Sequence, residues 1–215
     1  MNTHTKSKSL LYLDASPRGE RSASRRLGQQ FLATWRAVHP GAQVVAHDIG
    51  RQPPPFVTEA WVEGAFVPPD QQSPAARTAI AVSNRYVDEL LAADTLVIAT
   101  PVFNLSIPAA LKAWIDQIVR VGRTFSKVNG QLSGLLGGKR VLVIVASGSD
   151  LRPGTPTASY NFVEPYLRAI LGFIGLTQVD FVYAHSLNTG DDAITQQSLA
   201  AASAALDQFI PTKAA

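Results

Sequence analysis

The chain has no cysteine, which excludes a disulfide framework, an iron–sulfur cluster and a thiolate zinc site. Its four histidines (His4, His39, His47, His185) are scattered without metal-ligand spacing, so no metal is expected. Charge is scarce: 16% of residues are Asp, Glu, Lys or Arg, and the net charge of +3 is far short of a nucleic-acid binder's footprint. Long apolar runs are missing as well. The first nine residues are polar, and residues 10–13 are too few for a signal-peptide core or a membrane span. The expectation is a soluble, untargeted, cytoplasmic protein with neither nucleic acid nor membrane as partner. The dinucleotide fingerprint G-x-G-x-x-G is absent, which argues against a classical Rossmann site. Residues 133–140 (SGLLGGKR) fail as a P-loop, because Ser133 replaces the first glycine and Arg140 the hydroxyl residue after the lysine. No Gly-x-Ser-x-Gly elbow of a serine hydrolase occurs.

What is present is 215 residues, 46% of them hydrophobic, enough for one domain that buries ~70% of its unfolded surface. A single domain over 1–215 is expected, with residues 1–8 disordered. Short apolar runs at 10–13, 43–48, 96–99, 141–146 and 179–184 read as strands. Between them, apolar residues recur every three or four positions over 25–38, 74–93, 108–121, 161–174 and 191–209, which predicts helices. Residues 50–73, 125–138 and 147–157 read as irregular excursions. Apolar strands alternating with helices argue a parallel sheet covered on both faces, an α/β three-layer sandwich. The count fits a five-stranded doubly wound sheet of order 2-1-3-4-5, whose ligand site lies beyond the carboxyl ends of the strands at the β1/β3 switch point.

Three loops should converge there. Near the first, Lys6, Lys8, Arg18, Arg21, Arg25 and Arg26 face only Asp14 and Glu20, a balance that suits a small anion. Ser16, Ser22 and Ser24 bracket the strand-to-helix turn and put hydroxyls beside unpaired N–H groups at a helix N-terminus. The second loop, residues 100–108, is apolar where surface loops are polar. Its Asn104 offers a donor and an acceptor to the edge of a heteroaromatic ring, and Pro101 and Pro108 stiffen the backbone. The third, residues 146–150, is small enough for backbone to approach a ligand. Phe56, Trp61, Val62 and Phe66 in the 50–73 excursion are too many apolar groups to leave in water, which suggests an interface with a second subunit, with packing back onto the same chain as the alternative that the sequence does not decide.

Ser16-Pro17-Arg18-Gly19 with Ser22-x-Ser24, the long run from Pro101-Val102-Phe103-Asn104 to Trp114-Ile115-Asp116, and Pro165-Tyr166-Leu167 with Leu171-Gly172-Phe173-Ile174-Gly175 resemble the FMN-dependent NADH-azoreductases. The likeness runs in order through nearly the whole chain. It implies a flavodoxin-like homodimer with one FMN per subunit. Such an enzyme passes hydride by ping-pong kinetics from NADH or NADPH through FMN to quinones, and cleaves aromatic azo compounds to amines. By this resemblance Ser16, Arg18, Ser22, Ala23 and Ser24 hold the phosphate. Pro101, Val102, Phe103, Asn104 and Leu105 line the ring, and Ala146, Ser147 and Gly148 meet its other edge. Asn104 is the candidate catalytic contact, and Phe125 and Phe173 are candidate walls of the substrate pocket. The sequence departs from the family pattern at Phe103, where tyrosine is frequent, at the 146–149 loop, which lacks a Gly pair, and at His185, where an acidic residue is familiar. A flavin-binding electron carrier or sensor without nicotinamide turnover is the alternative, although such carriers are typically shorter and acidic.

Overall fold

In the computed structural model, which describes residues 8–68 and 70–210, the most apolar segments become the central strands. The chain runs β1 (Ser9–Asp14), α1 (Ala23–Val38), β2 (Gln43–Asp48), α2 (Glu59–Phe66), α3 (Pro74–Ala92), β3 (Thr95–Pro101) and α4 (Ala109–Ile118). It continues β4 (Phe125–Val128), β5 (Gln131–Gly134), β6 (Arg140–Ala146), α5 (Val163–Phe173), β7 (Gln178–Ala184) and α6 (Asp192–Phe209). Except for Lys8, the expected disorder of residues 1–8 falls outside the described residues, as does Lys6 of the basic cluster.

One sheet pairs β2-β1-β3-β6-β7, every neighbour parallel. Counting only the strands of that sheet, the order is the expected 2-1-3-4-5. Side chains alternate across it, as the two-residue period of a strand requires. Leu11, Leu13, Val141, Val143 and Val145 pack with α3, α4 and α5, whereas Leu10, Tyr12, Val97, Leu142 and Ile144 pack with α1 and α6. Burial on both faces explains why β3 and β6 read as unbroken apolar runs rather than alternating ones.

Two of the expected irregular excursions carry regular structure. Within 50–73, Thr58 caps α2 by accepting from the Trp61 N–H at 3.2 Å, and Gly64 lies flush against Ile80 of α3. Eight residues between proline-rich flanks are too few to display a helical period, so tertiary packing decides this helix. Trp61, expected on an exposed patch, is buried instead and donates from Nε1 to Gln117 Oε1 at 2.7 Å. Phe56 and Phe66 remain 72% and 69% exposed. Within 125–138, β4 and β5 form an antiparallel hairpin. Its tip, Asn129-Gly130, has φ of 51° and 80°, the left-handed pair that a two-residue hairpin turn demands and that Asn-Gly favours.

Candidate functional site

The carboxyl ends of β1, β3 and β6 open into a cleft of about 460 Å³. The loop after β1 contributes Ser16, Arg18, Arg21, Ser22 and Ala23, with Arg26 one turn into α1. At the start of α1 the Ser22 hydroxyl accepts from the Arg25 N–H at 3.2 Å and the Ser22 carbonyl from the Arg26 N–H at 3.1 Å, while the Ala23 and Ser24 N–H groups come before any carbonyl of the helix can reach them. Hydroxyls, helix-end N–H groups and three guanidinium groups therefore line one end of the cleft, and no acidic residue among the described ones does. That donor set matches a dianionic phosphate. Ser24 is buried behind the lining, its Oγ 3.1 Å from that of Ser22, so it supports the cradle from below.

Arg25, one of the basic cluster, points the other way. Its guanidinium donates to both oxygens of Asp48 at 2.7 and 2.9 Å and to the Ser16 carbonyl at 2.9 Å, with Nε 3.1 Å from Asp14. It ties the ends of β1 and β2 to the first loop. Burial raises the Asp14 carboxyl above its ordinary value, opposed by the Ser16 N–H and by Arg25. At Asp48 burial is the largest single influence and works in the same direction, but the hydrogen bond and charge of Arg25, together with the Arg51 N–H and charge, outweigh it and hold the carboxyl below the usual range. Gly50 completes the support: a Cβ there would lie 2.3 Å from the Ser16 carbonyl carbon, so the loop after β2 packs this closely only with glycine.

From the second loop, Pro101, Val102 and Phe103 line the cleft. Phe103 and Ser106 exchange backbone hydrogen bonds at 2.9 and 3.0 Å, and between them Asn104 and Leu105 have φ of 47° and 72°. Asn accepts the left-handed region readily, but a leucine there stores roughly 1–2 kcal/mol. The Phe162 N–H, donating to the Leu105 carbonyl at 3.2 Å, helps hold this turn. Asn104 and Leu105 stand exposed at its tip, outside the cleft lining.

Ala146, Ser147 and Gly148 form the opposite wall. This loop is stitched to the segment after β7: the Ser147 N–H donates to the Ala184 carbonyl at 2.9 Å, the Leu187 N–H to Ser147 at 3.1 Å and the Asn188 N–H to Gly148 at 3.3 Å. Leu187 and Asn188 thereby reach the cleft, joined by Thr195 and Leu199 of α6. None of these four was legible as a site residue, because only non-local packing brings them there. Arg21 and Arg26 were visible as members of the basic cluster, but not as distinct from Arg25. Phe125 and Phe173 meet each other, ring centroids 4.8 Å apart, and do not line this cleft. Among the described residues no cluster of His, Asp and Glu could hold a metal, and no helix is long and apolar enough to cross a membrane.

A doubly wound parallel sheet whose switch-point cleft is lined at one end by hydroxyls and guanidinium groups and at the other by the short loops after β3 and β6 has the architecture of mononucleotide-binding α/β proteins. More particularly, the chain belongs to the family described as flavodoxin-like fold, whose model matches residues 8–210. It is 50% identical over 202 residues to "FMN-dependent NADH:quinone oxidoreductase 2" of Trichormus variabilis, covering 94% of this chain and 97% of that one. It is 48% identical over 187 residues to "FMN-dependent NAD(P)H:quinone oxidoreductase 1" of Pseudomonas aeruginosa, covering 84% and 88%. Among solved structures, an azoreductase from Bacillus anthracis superposes with a TM-score of 0.84 at 28% identity, over 94% of this chain and all of that one.

Proposed function

We propose that this protein is an FMN-dependent NADH:quinone oxidoreductase that also cleaves aromatic azo compounds to amines, with NADPH as a further donor. The observation that carries the reading is a cleft with no acidic residue among the described ones that line it: the loops after β1, β3 and β6 meet there, hydroxyls and guanidinium groups at one end and the β3 and β6 loops at the other, in a chain half identical to a relative of that name. FMN, when bound, would supply the two-electron chemistry that couples oxidation of the nicotinamide to reduction of the acceptor.

The protein's part is to bind and orient. Ser16, Ser22 and the first turn of α1 hold the phosphate by hydrogen bonds, Arg18, Arg21 and Arg26 neutralise it, and Ser24 and Ala23 shape the turn behind it. Pro101, Val102 and Phe103 flank the ring on one side, and Ala146, Ser147 and Gly148 flank it on the other. The turn at Asn104 and Leu105 presents polar groups of fixed orientation to the edge of the ring, where preorganised dipoles stabilise developing negative charge without reorganising. No side-chain acid or base is required of the chain for hydride transfer.

The active unit on this reading is a cytoplasmic homodimer. Phe56, Val62 and Phe66 support it, since exposed apolar groups this close together favour burial against a second copy. Phe125 and Phe173 belong to the substrate side of the same assembly.

The test is the visible spectrum of protein purified with added FMN, repeated without oxygen after one equivalent of NADH. Flavin bands that bleach and return on adding a quinone or an azo dye are expected. Bands that persist with both NADH and NADPH would indicate an electron carrier instead, and absence of bound flavin would overturn the site.

A further inference from the structure

The segment after β7 holds a histidine that the proposed reaction does not use. His185 is 8% exposed, and its ring stacks on that of Tyr183, with centroids 4.7 Å apart and planes 5° from parallel. Its Nδ1 accepts from the Leu151 N–H at 3.3 Å, and its own backbone N–H donates to Ser198 Oγ of α6 at 2.8 Å. An acceptor at Nδ1 requires the neutral ring with its proton on Nε2. The histidine thus sits between two anchors, α6 behind it and the end of the 146–151 loop in front.

Around this bond the two segments run side by side. Ser147 binds both Ala184 and Leu187, the Ser186 N–H donates to the Ser149 carbonyl at 3.3 Å, and the Asn188 N–H donates to Gly148. Ser186 takes φ of 57°, a left-handed kink that lets the chain pass from His185 back toward Leu187 and Asn188 at the cleft. The bonds that cross between the two segments from Ser147, Ser186, Leu187 and Asn188 join backbone to backbone and do not change with pH. The Leu151–His185 bond crosses between them through a side chain that titrates.

We propose that His185, through its Nδ1, is a positioning residue that clamps the 146–151 loop in its cofactor-binding conformation, and that protonation of the ring releases the clamp. The inference rests on the reading of the cleft as an FMN site. A protonated ring carries N–H on both nitrogens, so Nδ1 faces the Leu151 N–H donor to donor and that hydrogen bond is lost, the charged ring being drawn instead to the Asp150 carboxylate 3.8 Å away. The charged groups acting on the ring are Asp150, with Oδ1 3.8 Å from Nδ1, and Arg152, which pairs with that same carboxylate. Burial keeps the ring neutral to lower pH than an ordinary histidine, Asp150 opposing and Arg152 assisting. The clamp is therefore closed at neutral pH and opens on mild acidification.

Two variants separate the acceptor from the ring. His185→Asn places an amide oxygen where Nδ1 stands and so keeps an acceptor that cannot titrate. His185→Phe keeps the stack on Tyr183 and has no acceptor. FMN dissociation constants are measured by fluorescence titration between pH 8 and pH 5. In parallel, exchange of the Leu151 amide is followed by NMR in the FMN-loaded protein. The cofactor phosphate has its own ionisation near pH ~6, which is common to all three proteins and cancels in ratios of their dissociation constants.

At pH 8 His185→Asn should match the wild type, while His185→Phe binds FMN about tenfold more weakly, as for a buried N–H left without a partner. At the acid end of the range, below the ordinary histidine value of about 6.5 because the ring titrates lower than that, the wild type should approach His185→Phe, and His185→Asn should hold its advantage. Leu151 amide protection should follow the same order. If wild type and both variants share one pH profile and one level of Leu151 protection while all bind FMN, the clamp is wrong and the FMN site stands. If the wild type binds no FMN at any pH, the reading of the cleft fails, yet Leu151 protection in the three apoproteins still tests the clamp by itself.

Discussion

Gly50 lies so close to Ser16 that a Cβ on it would stand 2.4 Å from the Ser16 carbonyl oxygen, while its own N–H donates to Asp14 at 2.9 Å. The loop after β2 is thus a backstop for the phosphate loop, although Gly50 does not line the cleft. Gly50→Ala must push the Ser16 backbone forward. The expected result is at least tenfold weaker FMN binding by fluorescence titration, together with a loss of about 1–3 kcal/mol in denaturant unfolding. Unchanged affinity would mean that the first loop does not hold the phosphate.

Arg25 should matter to stability in a way that its neighbours do not. Arg25→Met leaves the buried Asp14 and the half-buried Asp48 without their common cation, and breaking such a pair costs about 3–5 kcal/mol. Arg18→Met, at an exposed position, should fall within about 0.5 kcal/mol of wild type. Urea denaturation of the apoproteins compares them directly, and equal losses would remove Arg25 from its structural role.

The outward cations are separated from Arg25 by what they bind. Arg26→Glu should weaken FMN about tenfold or more at low salt, with the difference shrinking as salt rises, and should leave riboflavin, which has no phosphate, unaffected. An equal loss for both ligands would place Arg26 away from the phosphate.

At the strained turn, Asn104→Gly retains the left-handed backbone while deleting the amide side chain. Single-turnover reduction of the flavin by NADH should slow about tenfold, with FMN affinity within about twofold of wild type. An unaltered reduction rate would assign the role of this turn to its backbone alone.

The lowered pKa of His185 has a consequence for stability. Between that value and the ordinary one of about 6.5, the unfolded chain binds a proton that the folded protein refuses, so stability rises with pH across this window and falls on acidification. His185→Asn should flatten that part of the stability profile measured by urea midpoints. A profile with the same slope in both proteins would show that another group carries it.

The central strands and the five long helices were legible because each is a local pattern: apolar runs buried on both faces, and apolar stripes at helical spacing. The Pro101–Pro108 loop stood out for a related reason, since it carries apolar residues and an Asn where solvent-facing chain is expected; Pro101, Val102 and Phe103 line the cleft, whereas Asn104 and Leu105 do not. The cleft does collect Ser16, Arg18, Ser22, Ala23, Pro101, Val102, Phe103, Ala146, Ser147 and Gly148. Tertiary structure decided what no local pattern encodes. Arg21, Arg25 and Arg26 are alike as residues, and only the arrival of Asp14 and Asp48 from two neighbouring strands turns Arg25 inward. The short α2 exists because Trp61 finds Gln117 and Gly64 finds Ile80. Leu187, Asn188, Thr195 and Leu199 reach the cleft only because β7 pairs with β6 and α6 packs back across the sheet. Local sequence determines which segments bury their side chains, whereas the partner of a polar or charged group depends on distant chain that packing alone brings near.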